Sequence, residues 1–448
     1  MHDGHSDDAA RPGVRAASHR SEVDGAISQL ERWLEGMRVP GGYGGPVAHW
    51  WRDSLLYCGP GLDWRYEGII DGYLTLFERT GQREYLLKAR RAGDDLVEGQ
   101  LPDYSFRSSS FERNPSPAGT PHEAAAAVGL LTLARALRAQ GEADWQVYLF
   151  AAEANILRFQ LLHRWDGDAR RLSDGATWFV PNKAATMIEA LSLLAEMTQR
   201  EDYGPEYVAP VADAILDHQV RDSKDSLNGA IAQASRGSTR IEKYFPYYVA
   251  RCIPGLCAAY RLLQDDRYLE AAMEAGRFLL RVREGDGGSP QVLYPGGRVN
   301  RYPRWVAGAG DFLRALDELQ PYGLTADQQP TIEWILQGQL PTGGIRPARG
   351  FRSQISQTEA VGPPDVRDLL PVVGWNDKAF RALAGRVESL QPAPTLPPRE
   401  LECSWRGSTG RYRQTDDGFS FVADRLQYRW QKGQPWATWS AEQNTDVH

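Results

Sequence analysis

Apolar residues recur at i, i+3, i+4 and i+7 along most of this chain, and strict alternation appears only near its end. The first period is that of a helix with one buried face and the second that of a half-buried strand, so the pattern predicts an all-α protein with a small β-like C-terminal tail. Two kinds of helix alternate. One kind carries Arg, Lys, Glu and Asp along one side and repeats a short phrase: Tyr85-Leu86 with Ala89, Tyr148-Leu149 with Ala152, Tyr207-Val208 with Val211, and Tyr268-Leu269 with Ala272. The tyrosines stand about sixty residues apart, the length of a helix, a loop, a second helix and a turn. These helices follow turn signals such as Thr80-Gly81, Gln140-Gly141 and Asp265-Asp266 and read as an outer, half-solvated set, to which the same period adds 21–37 and 326–337.

Between them lies a second set, apolar around more of its circumference, at 64–77, 122–137, 182–197, 244–263, 302–316 and 375–387. Helices apolar on every side are inner helices. Six outer and six inner helices in alternation close into an (α/α)6 toroid. The Gly- and Pro-rich stretch 340–374 is too long for a plain connector and is expected to form a lid over one mouth. Past residue 390 come Pro392, Pro394, Pro397 and Pro398, then Phe419, Phe421, Tyr428, Trp430, Trp436 and Trp439, which predict a strand hairpin packed back on the ring. The expected organisation is a disordered leader at 1–20, a toroid at 21–390, and a Pro-rich linker with an aromatic tail at 391–448.

Composition narrows the partners. Hydrophobic residues at 42% supply a core without staples, and a net charge of −7 with both signs interspersed argues against a nucleic-acid footprint or an anionic membrane surface. Cys58, Cys252, Cys257 and Cys403 are too scattered for a disulfide framework, and no CxxC or HExxH spacing suggests zinc, so free thiols, no metal and no cofactor are expected. The N-terminal segment has no apolar run, which reads as a cytoplasmic protein without a signal peptide or membrane span.

In an alternating ring the outer-to-inner connections emerge at one mouth, and each is followed by an inner-helix N-terminus that favours polar or anionic ligands. The residues there are Asp63-Trp64-Arg65-Tyr66-Glu67, His122-Glu123, Asn182-Lys183, Tyr244 with Tyr247, Tyr248 and Arg251, Arg301-Tyr302 with Arg304-Trp305, and Trp375-Asn376-Asp377. Aromatic faces for the apolar sides of sugar rings, beside charged and amide groups for hydroxyls, are what saccharide recognition needs. The neighbouring stretch Gly41 to Gly45 with His49-Trp50-Trp51 lacks the frame of a phosphate loop and reads as part of the same mouth.

With its sixty-residue hairpins, outer-helix phrases such as Thr80-Gly81 leading to Tyr85-Leu86, and aromatic inner-helix starts, the chain resembles the six-hairpin glycosidase superfamily over residues 21–388. These (α/α)6-barrel enzymes include glycoside hydrolases, sugar epimerases and, with related toroids, polysaccharide lyases. The resemblance implies a carbohydrate-active enzyme. The local signatures of the unsaturated glucuronyl hydrolases and N-acylglucosamine epimerases are absent, so no family's catalytic residues carry across.

The residues themselves leave several assignments open. Asp63 and Glu67 share a face of one helix turn and form a candidate carboxylate pair, although Asp63 equally suits a helix cap. Glu123 and Asp377 are further inner-helix acids, with Asp377 sharing the cap ambiguity, and Asp311 lies deeper, where an arginine would pair with it. His122 suits proton transfer, and Tyr247 or Tyr248 beside Arg251 would suit proton abstraction next to a uronate carboxylate; core packing and loop hydrogen bonds are the plainer roles of each. Trp64, Trp305 and Trp375 are candidates to stack on sugar, with Tyr244 and Tyr302 beside them; Arg65, Arg301 and Arg304 would suit an acidic sugar, with Asn182, Lys183 and Asn376 as further binding groups. The leading expectation is a glycoside hydrolase acting on an oligosaccharide, uronate-containing ones among them, by paired carboxylates. A lyase or epimerase using Tyr or His, a terpene-type cyclase hinted at by Gln337-Gly338-Gln339 and Gly343-Gly344, and a non-catalytic glycan-binding toroid are the alternatives.

Overall fold

The computed structural model describes residues 12–48, 55–58, 60–107, 121–174, 177–390 and, in the tail, 399–405, 408–415, 418–423, 426–431 and 438–441. Twelve principal helices among these residues pair as hairpins, outer then inner: α1 (Pro12–Gly36) with α2 (Arg65–Thr80), α3 (Arg83–Glu98) with α4 (Pro121–Ala139), and α5 (Trp145–Ala154, extended by wider turns to Arg164) with α6 (Pro181–Thr198). The remaining pairs are α7 (Ala209–Leu216) with α8 (Pro246–Leu263), α9 (Asp266–Val282) with α10 (Gly310–Leu319), and α11 (Gln329–Leu336) with α12 (Val373–Ala384). Proline opens α4, α6 and α8, where its missing N–H costs nothing. The even-numbered helices pack in the cyclic order α2, α4, α6, α8, α10, α12 and back to α2, which closes the (α/α)6 toroid.

The Tyr-Leu repeat has a packing reason. Tyr148 on α5 buries its ring and donates its hydroxyl to Asp94 Oδ1 on α3 at 2.6 Å, and Tyr268 on α9 does the same to Asp213 on α7 at 3.0 Å. Each such tyrosine ties one outer helix to the one before it. A second repeat does the work at the other edge. Gln100, Gln219 and Gln339 each follow an outer helix, and their side-chain amides donate to a carbonyl of the next outer helix: Ala151 at 2.9 Å, Ala271 at 2.8 Å and Ala26 at 2.7 Å. Behind two of these glutamines stands a glycine at positive φ, Gly229 or Gly343, and Gly287 holds the equivalent place in a loop without the glutamine. A Cβ there would lie 1.9 to 2.1 Å from a backbone oxygen of the neighbouring helix or its cap. The glycines near 339 that resemble a cyclase repeat are therefore ring staples.

The segment 302–309 differs from expectation. Arg304–Trp305 pairs as a short strand with Ala348–Arg349, and a tight turn at Ala307–Ala309 delays α10 until Gly310. At the start of the chain α1 takes in part of the expected leader, beginning at Pro12. The tail is a five-stranded antiparallel meander, β1 (Arg399–Trp405), β2 (Ser408–Thr415), β3 (Gly418–Ala423), β4 (Leu426–Gln431) and β5 (Thr438–Ala441). The anticipated hairpin is its centre, with Phe419 opposite Trp430 and Phe421 opposite Tyr428. Alternate residues Cys403, Trp405, Tyr412, Phe421 and Tyr428 are buried, and Ser404 N donates to Pro364 O at 2.8 Å, docking the sheet on the stretch expected to be a lid. Cys252, Cys257 and Cys403 are free thiols. No described helix is long and apolar enough to cross a membrane.

Candidate active site

The outer-to-inner connections gather at the N-terminal ends of the inner helices, and there the sequence's aromatic candidates meet. Trp305 and Trp375 stack with ring centroids 4.1 Å apart, and Tyr247 abuts Trp375 at 5.3 Å and Trp305 at 6.2 Å. Tyr248 adds a ring 5.4 Å from Tyr247. The strand pairing at 304–305 and a hydrogen bond of 2.7 Å from Trp334 Nε1 to Trp305 O fix this platform. Trp305 is buried and Trp375 half-buried, so Trp375 presents the more accessible ring.

Two buried acids, Asp311 and Asp377, lie close enough to Tyr247 to act on its hydroxyl. Asp377 is buried on the first turns of α12, with Lys378 Nζ 3.1 Å from its Oδ2. The α2 helix approaches so closely that a Cβ on Gly68 would stand 2.6 Å from the Asp377 carboxylate. Burial pushes this carboxyl up to about 7 despite the opposing charge of Lys378 and Arg381. Asp311 on α10, also buried, ion-pairs with Arg381 Nη2, and although burial works against ionisation, Arg381, Lys378 and Arg251 hold its carboxyl below the usual range. One oxygen of Asp311 and one of Asp63 are buried without a hydrogen-bond donor among the described residues. Asp63 Oδ1 takes both the backbone N–H of Arg65 at 3.2 Å and its Nε at 2.7 Å. Trp64, not Asp63, occupies the cap position of α2, and burial raises the Asp63 carboxyl against the pull of Arg65.

Glu67 is differently placed. Arg251 grips it bidentately at 2.8 and 2.6 Å, Arg381 Nη1 adds 2.8 Å and Arg314 Nη1 adds 3.1 Å. Burial opposes its charge, but the three guanidiniums overcome that and hold it well below the carboxylate range. With its oxygens so occupied Glu67 is an axial keystone of the ring, and Arg251 is its partner. The pairing of Asp63 with Glu67 is thus replaced by Asp377 with Asp311 as the acids whose ionisation diverges.

Several other candidates are engaged in holding loops. Glu123 accepts from Phe106 N at 3.2 Å and Asn155 Nδ2 at 2.6 Å, and burial lifts it to about 7 against those bonds. Asn376 exchanges hydrogen bonds with Ile345 N and O at 2.7 and 2.8 Å, Trp64 Nε1 donates to Gly374 O at 2.7 Å, and Lys183 Nζ meets Asp174 at 2.5 Å. Asn182 lies half-buried on the first turn of α6, its Oδ1 a buried oxygen without a hydrogen-bond donor among the described residues. Arg304 is bidentate to Asp286 at 2.6 Å, Arg301 Nε pairs with Glu284 at 2.9 Å, Tyr302 shares its backbone with the Gln357 amide, and Tyr244 is buried on a backbone bridge to Leu293. Of the remaining candidates, the side chain of His122 and residues His49, Trp50 and Trp51 lie outside the described residues. The space among Tyr247, Trp305, Phe312 and Thr331 amounts to about 10 Å³, room for one water.

A much larger chamber was not anticipated. About 740 Å³ opens at the opposite mouth, among the C-terminal halves of α4, α6, α8 and α10, with Glu67, Glu189 and Arg314 at its floor. Its signal in the sequence is the run of charged residues on inner helices, such as Asp71, Arg135, Glu189 and Arg314, at positions a buried helix would leave apolar.

No family model and no curated protein matches the chain. Solved structures do match in fold: a heparin-specific unsaturated glucuronyl hydrolase at 14% identity and TM-score 0.58, covering 82% of this chain and 96% of that one, and a D-mannose isomerase at 12% and 0.60, covering 85% and 100%. The α-1,6-mannanase of Salegentibacter sp. HEL1_6 matches at 14% and 0.54, covering 82% and 98%. At such identities the likeness is one of architecture, and the chain shares the six-hairpin toroid of these enzymes.

Proposed function

We propose that this protein is a carbohydrate-active enzyme, a glycoside hydrolase that cuts an oligosaccharide at the N-terminal mouth of its toroid. One observation carries the reading: under a tryptophan platform, a buried carboxyl poised near neutrality, Asp377, neighbours one held ionised, Asp311. Acids pushed apart in this way divide the labour of glycoside cleavage. Asp377 gives its proton to the departing glycosidic oxygen while the Asp311 carboxylate stabilises the positive charge that grows on the sugar ring, and a water then bonds to the anomeric carbon and returns a proton to Asp377. The Trp375 face receives the apolar side of the sugar, with Lys378 Nζ 5.9 Å from that ring and held by the Asp377 carboxylate. The architectural kinship with hydrolases and sugar isomerases supports a saccharide substrate, which is how those proteins are described.

Elimination through a tyrosinate is the weaker reading, because burial, with Asp311 and Asp377 nearby, pushes Tyr247 well above the ordinary phenol range and burial takes Tyr248 to about 12. Cyclase chemistry needs an apolar cavity, and the large chamber is lined by carboxylates and guanidiniums. The test is turnover of a panel of neutral and uronate-containing oligosaccharides, read by mass spectrometry, for the wild type, Asp377→Asn and Tyr247→Phe. Hydrolysis predicts addition of water to the products, a loss of about a hundredfold or more in kcat for Asp377→Asn, and retention in Tyr247→Phe. Undiminished turnover by Asp377→Asn, an ultraviolet-absorbing product, or binding of glycan without turnover would each remove the proposal.

A further inference from the structure

An ammonium group is costly to bury, yet Lys378, on the second turn of α12, is only 5% exposed. Its Nζ has one hydrogen-bonding partner among the described residues, the carboxyl of Asp377, whose two oxygens stand 3.1 and 3.4 Å away. That contact is not one that helix geometry offers freely. Adjacent side chains leave a helix about 100° apart and do not face each other, so the arm of Lys378 has to bend around the helix to reach Asp377. The other cation beside this acid is engaged elsewhere, since Arg381 binds Glu67 at 2.8 Å and pairs with Asp311. Backbone packing holds the dipeptide in place. A Cβ on Gly68 of α2 would collide with the carbonyl of Asp377, and one on Gly310 of α10 with the carbonyl of Lys378, so two glycines let the flanking helices press directly on these residues. Lys378 Nζ also lies 5.9 Å from the ring of Trp375. Stacking face, acid and cation thus share one turn of one helix.

We infer that Lys378 is a positioning residue of glycoside cleavage, whose ammonium fixes the Asp377 carboxyl between α2 and α12 and compensates the negative charge left there when the proton passes to the departing oxygen. The inference rests on the reading of Asp377 as the proton donor. Around that acid stand Lys378 and Arg381 on α12, Asp311 on α10 and the Tyr247 phenol on α8, with Asp63 ahead of α2 in the field of Lys378 and Glu67 on α2 taken up by arginines. Of the cations, Lys378 alone is given over to Asp377, so its removal should leave the carboxyl a weaker acid.

The test compares wild type, Asp377→Asn and Lys378→Met, which keeps an unbranched apolar arm, on an oligosaccharide that the wild type hydrolyses. In Lys378→Met, kcat should fall about tenfold or more with KM held within about twofold, and the alkaline limit of kcat should move up by about 1 pH unit or more. Melting curves taken without substrate read the same titration independently: the pH at which the Asp377 chain loses ground to its Asn variant should rise by a similar amount when both carry Lys378→Met. Circular dichroism checks the fold, and Lys378→Gln serves in the same comparison should Lys378→Met prove unstable. If Asp377→Asn is inactive while the Lys378 variants keep the wild-type alkaline limit and melting profile, or lose only in KM, this inference alone is overturned; full turnover by Asp377→Asn removes the reading beneath it.

Discussion

Asp377 shows how a single buried side chain links proton binding to stability and to chemistry. Its carboxyl sits near 7 in the fold and near 4 in an unfolded chain, so between those values the folded state holds a proton that the unfolded state has released. The stabilisation it contributes is therefore complete below about pH 4 and disappears as the pH rises through 7. Melting curves from pH 4 to 9 should show the wild type losing ground to Asp377→Asn across that window; a constant difference would mean that the carboxyl is ionised in the fold throughout. If Asp377 donates the proton, hydrolysis falls on the alkaline side of about 7 as well. At this scale the sequence was partly legible. It brought Trp305, Trp375, Tyr247, Asp63 and Asp377 to one mouth, because helix starts are readable from proline and from the shift in apolar period. It was silent on which acid is free: Glu67 looked as available as Asp377 until Arg251, Arg314 and Arg381 were seen to converge on it from helices far apart in the chain.

Among elements, the outer helices are joined by side chains that hydrophobic periodicity does not register. The Tyr-Leu phrase was visible because a large amphipathic residue recurs at a fixed period, whereas the glutamine staples repeat a polar residue and a glycine in loops of unequal length. Gly287 offers the sharpest check. Its φ of 88° and a Cβ position 1.9 Å from Pro330 O leave alanine no room, while Gly296, at φ 76°, faces open space. Gly296→Ala should cost about 1–2 kcal/mol for its left-handed backbone alone. Gly287→Ala should cost several times as much in denaturant titration, and equal losses would show that the contact with α11 yields easily. The tail is an instructive shortfall: β1 and β2 intersperse Arg, Glu and Gln with their buried residues, so only the more apolar β3 and β4 announced themselves.

For the whole molecule, the ring was the most legible property, since the period of sixty residues dictates both the number of hairpins and their closure. The charged axis was the least, because three arginines and three acids from five inner helices neutralise one another only after the ring has formed. Replacing one member by a neutral group leaves buried charge uncompensated, which costs about 3–5 kcal/mol. Glu67→Gln should lose stability on that scale by chemical denaturation while the far-ultraviolet spectrum keeps its helical shape; a change of under 1 kcal/mol would show that water reaches the axis and screens it.

The seam between the first and last hairpins has an implication for biosynthesis. Gln339 reaches back to Ala26, and the backbone of Glu388 and Ser389 is held by Asp24, so one flank of α1, whose other side meets Lys88 and Arg91 of α3, finds its permanent neighbours only more than three hundred residues further along the chain. A growing polypeptide emerging from the ribosome must carry an open arc of hairpins, with the flank of α1 unsealed, until nearly four hundred residues have been translated. That long exposure makes the nascent chain, more than the finished toroid, the form in need of chaperone protection.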